Sequence, residues 1–159
     1  MYYGMEVMKM TRATAILGGQ KELGQKIENP IDFDALIKKG MPLRVMYHVK
    51  KQFKLSDDTL ARIIGASLRT VARRKKSGNG SASKEIERLS PIHSDRLYRF
   101  ARIVALAEEV FENKDDAIAW LNAKQYGLGG AVPFDMLQTD AGSREVESLL
   151  IRIDHSVIS

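Results

Sequence analysis

Residues 56–76 limit most narrowly what this chain can fold into, because they hold two short helical patterns separated by one glycine. Ser56 can cap the first pattern, DDTLARII, whose two leading aspartates suit the positive end of a helix dipole. Gly65 ends this helix, since glycine readily takes the left-handed conformation of a tight turn. Ser67 can cap the second pattern, LRTVARRKK. The stretch therefore predicts two helices joined by a short turn.

Positive charge is concentrated around the second of these helices. Six lysines and arginines, and no acidic residue, lie between Arg62 and Lys76. Small and apolar residues that can fill the wedge between two helices of a helix-turn-helix unit are Leu60, Ala61, Ile64 and Val71. In such units the start of the second helix reaches base edges in the major groove of DNA, and neighbouring cations contact phosphates. The residues expected to bind DNA are Ser67, Leu68, Arg69, Thr70, Arg73, Arg74 and Lys75.

Two other interpretations of this surface stay open. A run of charges is often a solvated helix face with no partner. If the helix does bind DNA, Arg69 and Arg73 suit either guanine edges or phosphates. The pattern therefore favours DNA binding but specifies no target sequence.

Helical periodicity also runs through the rest of the chain. After Pro91, the stretch SDRLYRFARIVALAEEVF places apolar residues three and four apart along one face. Shorter helices are predicted from Pro42, after Asn113 and from Pro133, and a last one is predicted over residues 143–153. No stretch shows the alternation of a strand, so the predicted fold is all-α.

Glycine content and charge divide the chain into three predicted regions. Residues 1–32 contain four glycines and are expected to form either an arm or an interrupted helix. Residues 33–102 hold the helix-turn-helix. Up to Arg102 the chain has 21 lysines and arginines against 10 acidic residues, a net +11, and beyond it 4 against 10, a net −6. Residues 103–159 are therefore expected to form a second domain that faces something other than a polyanion.

Composition disfavours several functions. The chain has no cysteine and its three histidines lie far apart, so no disulfide or metal site is expected. No nucleophile with a base and no phosphate-binding loop is evident, because GLGG at 127–130 follows no predicted strand. The N-terminal sequence has neither a signal-peptide pattern nor an apolar run that could span a membrane. We therefore expect a cytoplasmic protein that is not an enzyme and needs no cofactor.

The order of motifs resembles the Xre/MbcA/ParS family of bacterial antitoxins from about Phe33 to Ser159. The match includes LSDDTLARIIGASLRTVARR and LSPIHSDRLYRFARIVALAEEVF, and it is most specific toward the C terminus. The matching positions there are Ala119 to Leu121, Gly129 and Gly130, Pro133 to Asp135, Thr139 to Gly142, Val146 and Glu147, Leu150, and Ile153 to Val157.

The resemblance implies a helix-turn-helix domain followed by a toxin-binding domain. Partners in the family are commonly RES-domain toxins, which destroy cellular NAD, or related ADP-ribosyl-transferring toxins. The resemblance also implies that the C-terminal end covers the toxin's active site. It further implies that the antitoxin represses its own operon by binding double-stranded operator DNA, as a homodimer or in a larger complex with the toxin.

The residues expected to bind the toxin lie in the terminal stretch. The family tends to end in a His-Gly-Val-like sequence, and Ser156 stands here in place of the glycine. A pocket for NAD is concave and accepts an anionic dinucleotide, so Asp154 and the carboxylate of Ser159 are candidate anions beside apolar residues. Without the resemblance, a frayed terminus would be the simpler interpretation. The expected residues are Arg152, Asp154, His155, Ser156, Val157, Ile158 and Ser159.

A second function fits many of the same features. The chain could be a stand-alone transcriptional regulator whose acidic half only dimerises or senses a ligand. A homodimer is expected in either case, because the apolar stripes of residues 95–112 and 143–153 exceed what one short domain needs. The terminal DHSVIS favours the antitoxin, because a domain that only dimerises does not need it.

Overall fold

A computed structural model of the chain describes residues 2–71 and 86–158, and the side chains of residues 7–71 and 86–156. The helices are α1 (Tyr2–Ile16), α2 (Gly19–Leu23), α3 (Pro30–Lys39), α4 (Leu43–Gln52), α5 (Asp57–Ile64), α7 (Pro91–Phe111), α8 (Lys114–Leu121), α9 (Pro133–Met136) and α10 (Asp140–Ile158). Between α5 and α7, helix α6 begins at residue 68 and is described as far as residue 71. Within these ranges β pairing is limited to one isolated bridge, between Pro42 and Arg88. The predicted all-α fold is confirmed.

The helix pair predicted around Gly65 is present. The Ser56 hydroxyl oxygen accepts a hydrogen bond from the Thr59 amide at 3.0 Å, which caps α5. The Ser67 hydroxyl oxygen accepts one from the Thr70 amide at 3.1 Å, which caps α6. Gly65 has a φ of 75°, in the left-handed region, and ends α5. Local signals in the sequence therefore set both caps and the turn between them.

Helix α7 lies at the centre of the fold and packs against α1, α3, α5, α8 and α10. The ring of Phe100, on α7, lies 5.8 Å from that of Phe53, which follows α4, and 5.5 Å from that of Phe134, in α9. All three side chains are buried. One continuous core therefore joins the basic and acidic halves, and the boundary expected after Arg102 falls inside an unbroken helix.

The apolar stripe of α7 is buried against other helices of the same chain. Leu97, Phe100 and Val104 are fully buried beneath the neighbouring helices. This stripe was one reason to expect a homodimer, but the surrounding helices of the same chain already cover it. Any contact with a second copy must therefore use another surface.

The N-terminal residues form two helices that belong to the same core. Ala13 in the last turn of α1, Leu17 just after it and Leu23 in α2 are buried. Gly18, between the helices, and Gly19, the first residue of α2, have φ values of 104° and 68°, which a residue with a side chain rarely adopts. Residues 2–23 are therefore an interrupted helix packed on the molecule, with α1 lying against α7.

The last helix is longer than predicted at both ends. The Gly142 amide donates to the Thr139 hydroxyl oxygen at 3.0 Å, so α10 starts at Asp140 instead of residue 143. An ion pair of 2.8 Å between Asp140 and Arg144 lies on its first turns. At the other end, α10 continues past Ile153, where the prediction stopped, and reaches Ile158. In the described part of the chain no helix is both long and apolar enough to cross a bilayer.

Candidate functional site

The start of α6 exposes three of the seven residues predicted to contact DNA. Ser67, Arg69 and Thr70 are exposed, and the hydroxyl oxygens of Ser67 and Thr70 lie 2.7 Å apart. Leu68 is half-buried and packs against the core, and Val71 is buried. The outer side of α6 is therefore polar while its inner side anchors the helix. The other predicted positions, Arg73, Arg74 and Lys75, lie outside the described residues.

Arg62, the first cation of the charged run, is engaged within the protein. Its guanidinium group lies 2.8 Å from the Asp135 carboxylate and 3.7 Å from that of Asp58. Asp135 belongs to α9, in the acidic half of the chain, 73 residues away. From the sequence, Arg62 belongs to the run of cations expected to face a polyanion. In the fold, Asp135 and Asp58 balance its positive charge.

Replacing Arg69 with alanine should weaken binding to DNA without unfolding the protein, because its exposed side chain lies at the start of α6. Loss of a base-edge contact should cost about 1–3 kcal/mol and relax specificity at one position, whereas loss of a phosphate contact should lower the salt slope by about one. Gel-shift titrations at several salt concentrations distinguish the two cases. Lys124→Ala, which removes an exposed cation from the acidic half, is the control, and equal affinity of both variants would contradict the assignment.

The C-terminal turns of α10 project from the core. Val146 and Leu150 are buried and Ile153 is half-buried, so the apolar stripe emerges from the molecule at this point. On either side of Ile153, the predicted toxin-binding residues whose side chains the structure describes are exposed to solvent on this helix. They are Arg152, Asp154, His155 and Ser156. The side chains of Val157 and Ile158, and all of Ser159, lie outside the described residues.

Ser156 fits the helical form of this segment. Its hydroxyl group donates to the Ile153 carbonyl at 2.8 Å, one turn earlier in the helix. Glycine would cost a helix about 0.5–1 kcal/mol relative to alanine, the best helix former. The departure from the family's glycine is therefore consistent with a terminal segment that continues α10.

A loop beside α10 displays an aromatic residue that the sequence analysis did not single out. Tyr126, in the 3₁₀ turn Tyr126–Leu128, has its whole side chain exposed. Gln125 fixes the loop, because its side-chain amide donates to the Trp120 carbonyl at 2.9 Å. Gly127 lies so close to α10 that an added Cβ would come 2.9 Å from Leu149. The fixed position beside the projecting helix makes Tyr126 a candidate contact residue.

Two carboxyl groups on these helices have perturbed pKa values. The hydrogen bond from Arg144 lowers the pKa of Asp140, and the charges of Arg99 and Arg102 contribute in the same direction. Burial raises the pKa of Glu108, on α7, against the opposing effect of the nearby Lys114 and Arg12 charges. Asp140 therefore remains ionised at the start of α10, where a negative charge suits the helix dipole.

Two family models match the chain over these structural regions. Residues 32–102 match the antitoxin Xre-like helix-turn-helix domain, which here includes most of α3, all of α4 and α5, and the start of α6. Residues 106–155 match the antitoxin Xre/MbcA/ParS C-terminal toxin-binding domain. That match contains the loop of Tyr126 and the first of the projecting turns of α10.

Three curated proteins are similar to this chain, and each is named Antitoxin Xre. The protein of Photorhabdus laumondii subsp. laumondii is 29% identical over 127 residues, which cover 79% of this chain and 80% of that protein. The protein of Yersinia enterocolitica is 27% identical over 156 residues, covering 98% of this chain and all of that protein. The protein of Pseudomonas putida is 41% identical over 71 residues, 43% of this chain and 45% of that protein. The alignment with the Yersinia protein includes the N-terminal helices as well as both matched domains.

Proposed function

The chain belongs to the Xre/MbcA/ParS family of antitoxins, and from this premise we propose that it neutralises an NAD-consuming RES-domain toxin by covering its active site with the end of α10. We also propose that it represses its own operon through α5 and α6. The projection of the last turns of α10 from the core is the observation that carries the first proposal. A helix that stands clear of its own domain can enter a concave pocket on a partner.

The chemistry of the projecting turns supports an NAD-binding pocket as the target. Such a pocket accepts a dinucleotide with an anionic pyrophosphate, so it must offer cationic or amide donors. Asp154 is exposed on the projecting turn and presents a carboxylate to such donors. The net charge of −6 beyond Arg102 favours the encounter of this half with a cationic surface.

The exposed position of Tyr126 adds a second contact to the proposal. Interface energy is commonly concentrated in a few aromatic and arginine anchors surrounded by weaker contacts. Tyr126 is held beside α10 by the Gln125 hydrogen bond and by the packing of Gly127 on Leu149. A toxin that binds the projecting turns of α10 would therefore also contact the ring of Tyr126 beside them.

Co-expression tests the proposed activity against the toxin. The toxin is sought in the reading frame adjacent to this gene, because antitoxins and toxins are cotranscribed. Expression of that product alone should stop growth and deplete cellular NAD, and the full chain should restore both. Growth arrest with an unchanged NAD content would contradict a RES-domain partner, and failure of the chain to restore growth would contradict neutralisation.

A homodimer stays a prediction. The neighbouring helices cover the apolar stripe of α7, which removes one of the two stripes on which the prediction was based. In the other stripe, residues 143–153, Val146 and Leu150 are also buried and Ile151 is exposed. The remaining support is this partly exposed stripe and the general geometry of two-fold DNA readers. Such readers place their recognition helices about 34 Å apart, which requires an inverted repeat in the operator. Sedimentation at micromolar concentration measures the oligomeric state directly, and a monomer alone would count against the prediction.

A further inference from the structure

We propose that Arg96 and Gln138 are positioning residues for DNA reading: they lie outside the α5–α6 helix pair and complete the C-terminal end of α5. This inference rests on the proposed DNA-binding role of α6. It assigns part of that role to the acidic half of the chain, since Gln138 lies in the segment between α9 and α10.

The last turn of α5 depends on these side chains for its hydrogen bonds. The final four carbonyl groups of a helix have no amide partner within it, and buried ones must be satisfied by other groups. The Gln138 side-chain amide donates to the Arg62 carbonyl, and the Arg96 guanidinium group donates to the Ile64 carbonyl at 2.9 Å. The two donors are 76 and 32 residues away from their acceptors in sequence. The end of α5 therefore depends on these tertiary contacts as well as on the local hydrogen bond from the Gly65 amide to the Ala61 carbonyl.

The same side chains also support the turn that follows. Arg96 donates a second hydrogen bond, from Nε to the Gln138 carbonyl at 3.3 Å, which ties the two positioning residues together. A Cβ added at Gly65 would lie 2.5 Å from the Arg96 guanidinium nitrogen and 3.3 Å from Gln138 Oε1. The turn therefore rests directly on this pair, and α6 begins only three residues after Gly65.

The ion pair between Arg62 and Asp135 reinforces the same junction. The carboxylate of α9 lies 2.8 Å from the guanidinium group of α5. Both partners are partly solvated, so the pair by itself contributes modestly. Together with the Gln138 contact it connects α5 to the acidic half at two points, and Arg96, on α7, adds a third contact to the end of α5.

The orientation of a recognition helix decides whether its side chains reach base edges. Binding groups act well only when supporting contacts hold them within about 0.5 Å and 10–20° of the productive geometry. Loosening the end of α5 should therefore weaken DNA binding even though every DNA-facing residue is still present. Since no cation is lost, the salt dependence of binding should not change.

The test compares Gln138→Ala with Gln125→Ala in the full chain. Both glutamines are half-buried and donate from the side-chain amide to backbone carbonyls, but Gln125 serves the loop of Tyr126. The probe is duplex DNA from the region immediately upstream of the gene. Gln138→Ala should weaken binding about tenfold, which corresponds to about 1.4 kcal/mol, with an unchanged salt slope. Gln125→Ala should bind as the wild-type chain does.

Amide hydrogen exchange provides a measurement that needs no DNA. In Gln138→Ala the amides of residues 65–71 should exchange faster than in the wild-type chain, whereas Gln125→Ala should leave them unchanged. Arg96→Lys keeps the charge but loses one of the two guanidinium contacts. It should also weaken DNA binding with an unchanged salt slope and speed exchange at residues 65–71. This variant replaces Gln138→Ala in the test if Gln138→Ala fails to fold.

Three results would overturn the inference: equal DNA affinity in the two glutamine variants, a changed salt slope in Gln138→Ala, or unchanged exchange at residues 65–71. The wild-type titration reports separately on the proposed function. If the wild-type chain does not bind the upstream DNA, the DNA-binding role fails and the positioning role fails with it. If only the comparison of variants fails, the DNA-binding role stands.

Discussion

Replacing Phe100 with alanine is expected to lower the free energy of unfolding by about 3–5 kcal/mol, the usual cost of removing a buried phenylalanine. Phe100 is fully buried on α7, and its ring lies between those of Phe53 and Phe134. For a chain of this size each kcal/mol lowers the melting temperature by about 2–4 °C. The melting temperature should therefore fall by about 6–20 °C, which calorimetry measures directly.

The same variant should lose both activities over one temperature range. Phe53 follows α4, on the helix-turn-helix side, and Phe134 lies in the toxin-binding region, so the cavity weakens both at once. DNA binding and toxin binding measured during heating should decline together with the calorimetric transition. Tyr126→Ala, which removes an exposed aromatic ring, should change stability by less than about 0.5 kcal/mol. Two separate transitions in the wild-type chain would contradict a shared core.

Deleting residues 154–159 is expected to abolish neutralisation of the toxin and to leave the protein folded. The side chains of residues 154–156 are exposed, so their removal takes little from the core. DNA affinity should stay within about twofold of the full chain, well inside the tenfold effect that about 1.4 kcal/mol would produce. Co-expression with the toxin should then give arrested growth and depleted NAD.

A control on the same helix separates the terminal turns from α10 in general. Arg144 lies near the start of α10 with an exposed side chain that pairs with Asp140. Arg144→Ala removes this surface ion pair and should still restore growth. Full restoration by the shortened chain would show that the terminal turns are dispensable, and the terminus would then be a frayed end.

The parts of the fold that local chemistry decides were predictable from the sequence. Ser56, Gly65 and Ser67 act on groups no more than four residues away, so the pattern of residue types specifies both caps and the turn. The end of α10 was harder to predict because the apolar stripe, on which the prediction relied, leaves the core near Ile153. The helix beyond it consists mainly of polar residues with middling helix propensity.

The contacts that join the two halves were beyond prediction from the sequence, because they link residues far apart in the chain. No sequence pattern indicates a contact of Gln138 or Arg96 with α5, and only the packing of α5 against α7 and α9 brings them to the end of the first helix. The placement of α1 was obscured for a different reason. Its sequence is apolar around much of its circumference, so no stripe indicates which side packs on α7.

The central position of α7 has a consequence for protein turnover. Proteases degrade a folded chain mainly through its open states, and in this fold an opening that frees α7 exposes the helix-turn-helix and the toxin-binding region together. Under the proposed function, repression of the operon and protection from the toxin would therefore share one lifetime. If a cell stopped replacing this protein, the operon would be derepressed at the same time as the toxin is released. New synthesis of the antitoxin would therefore begin together with the release of the toxin.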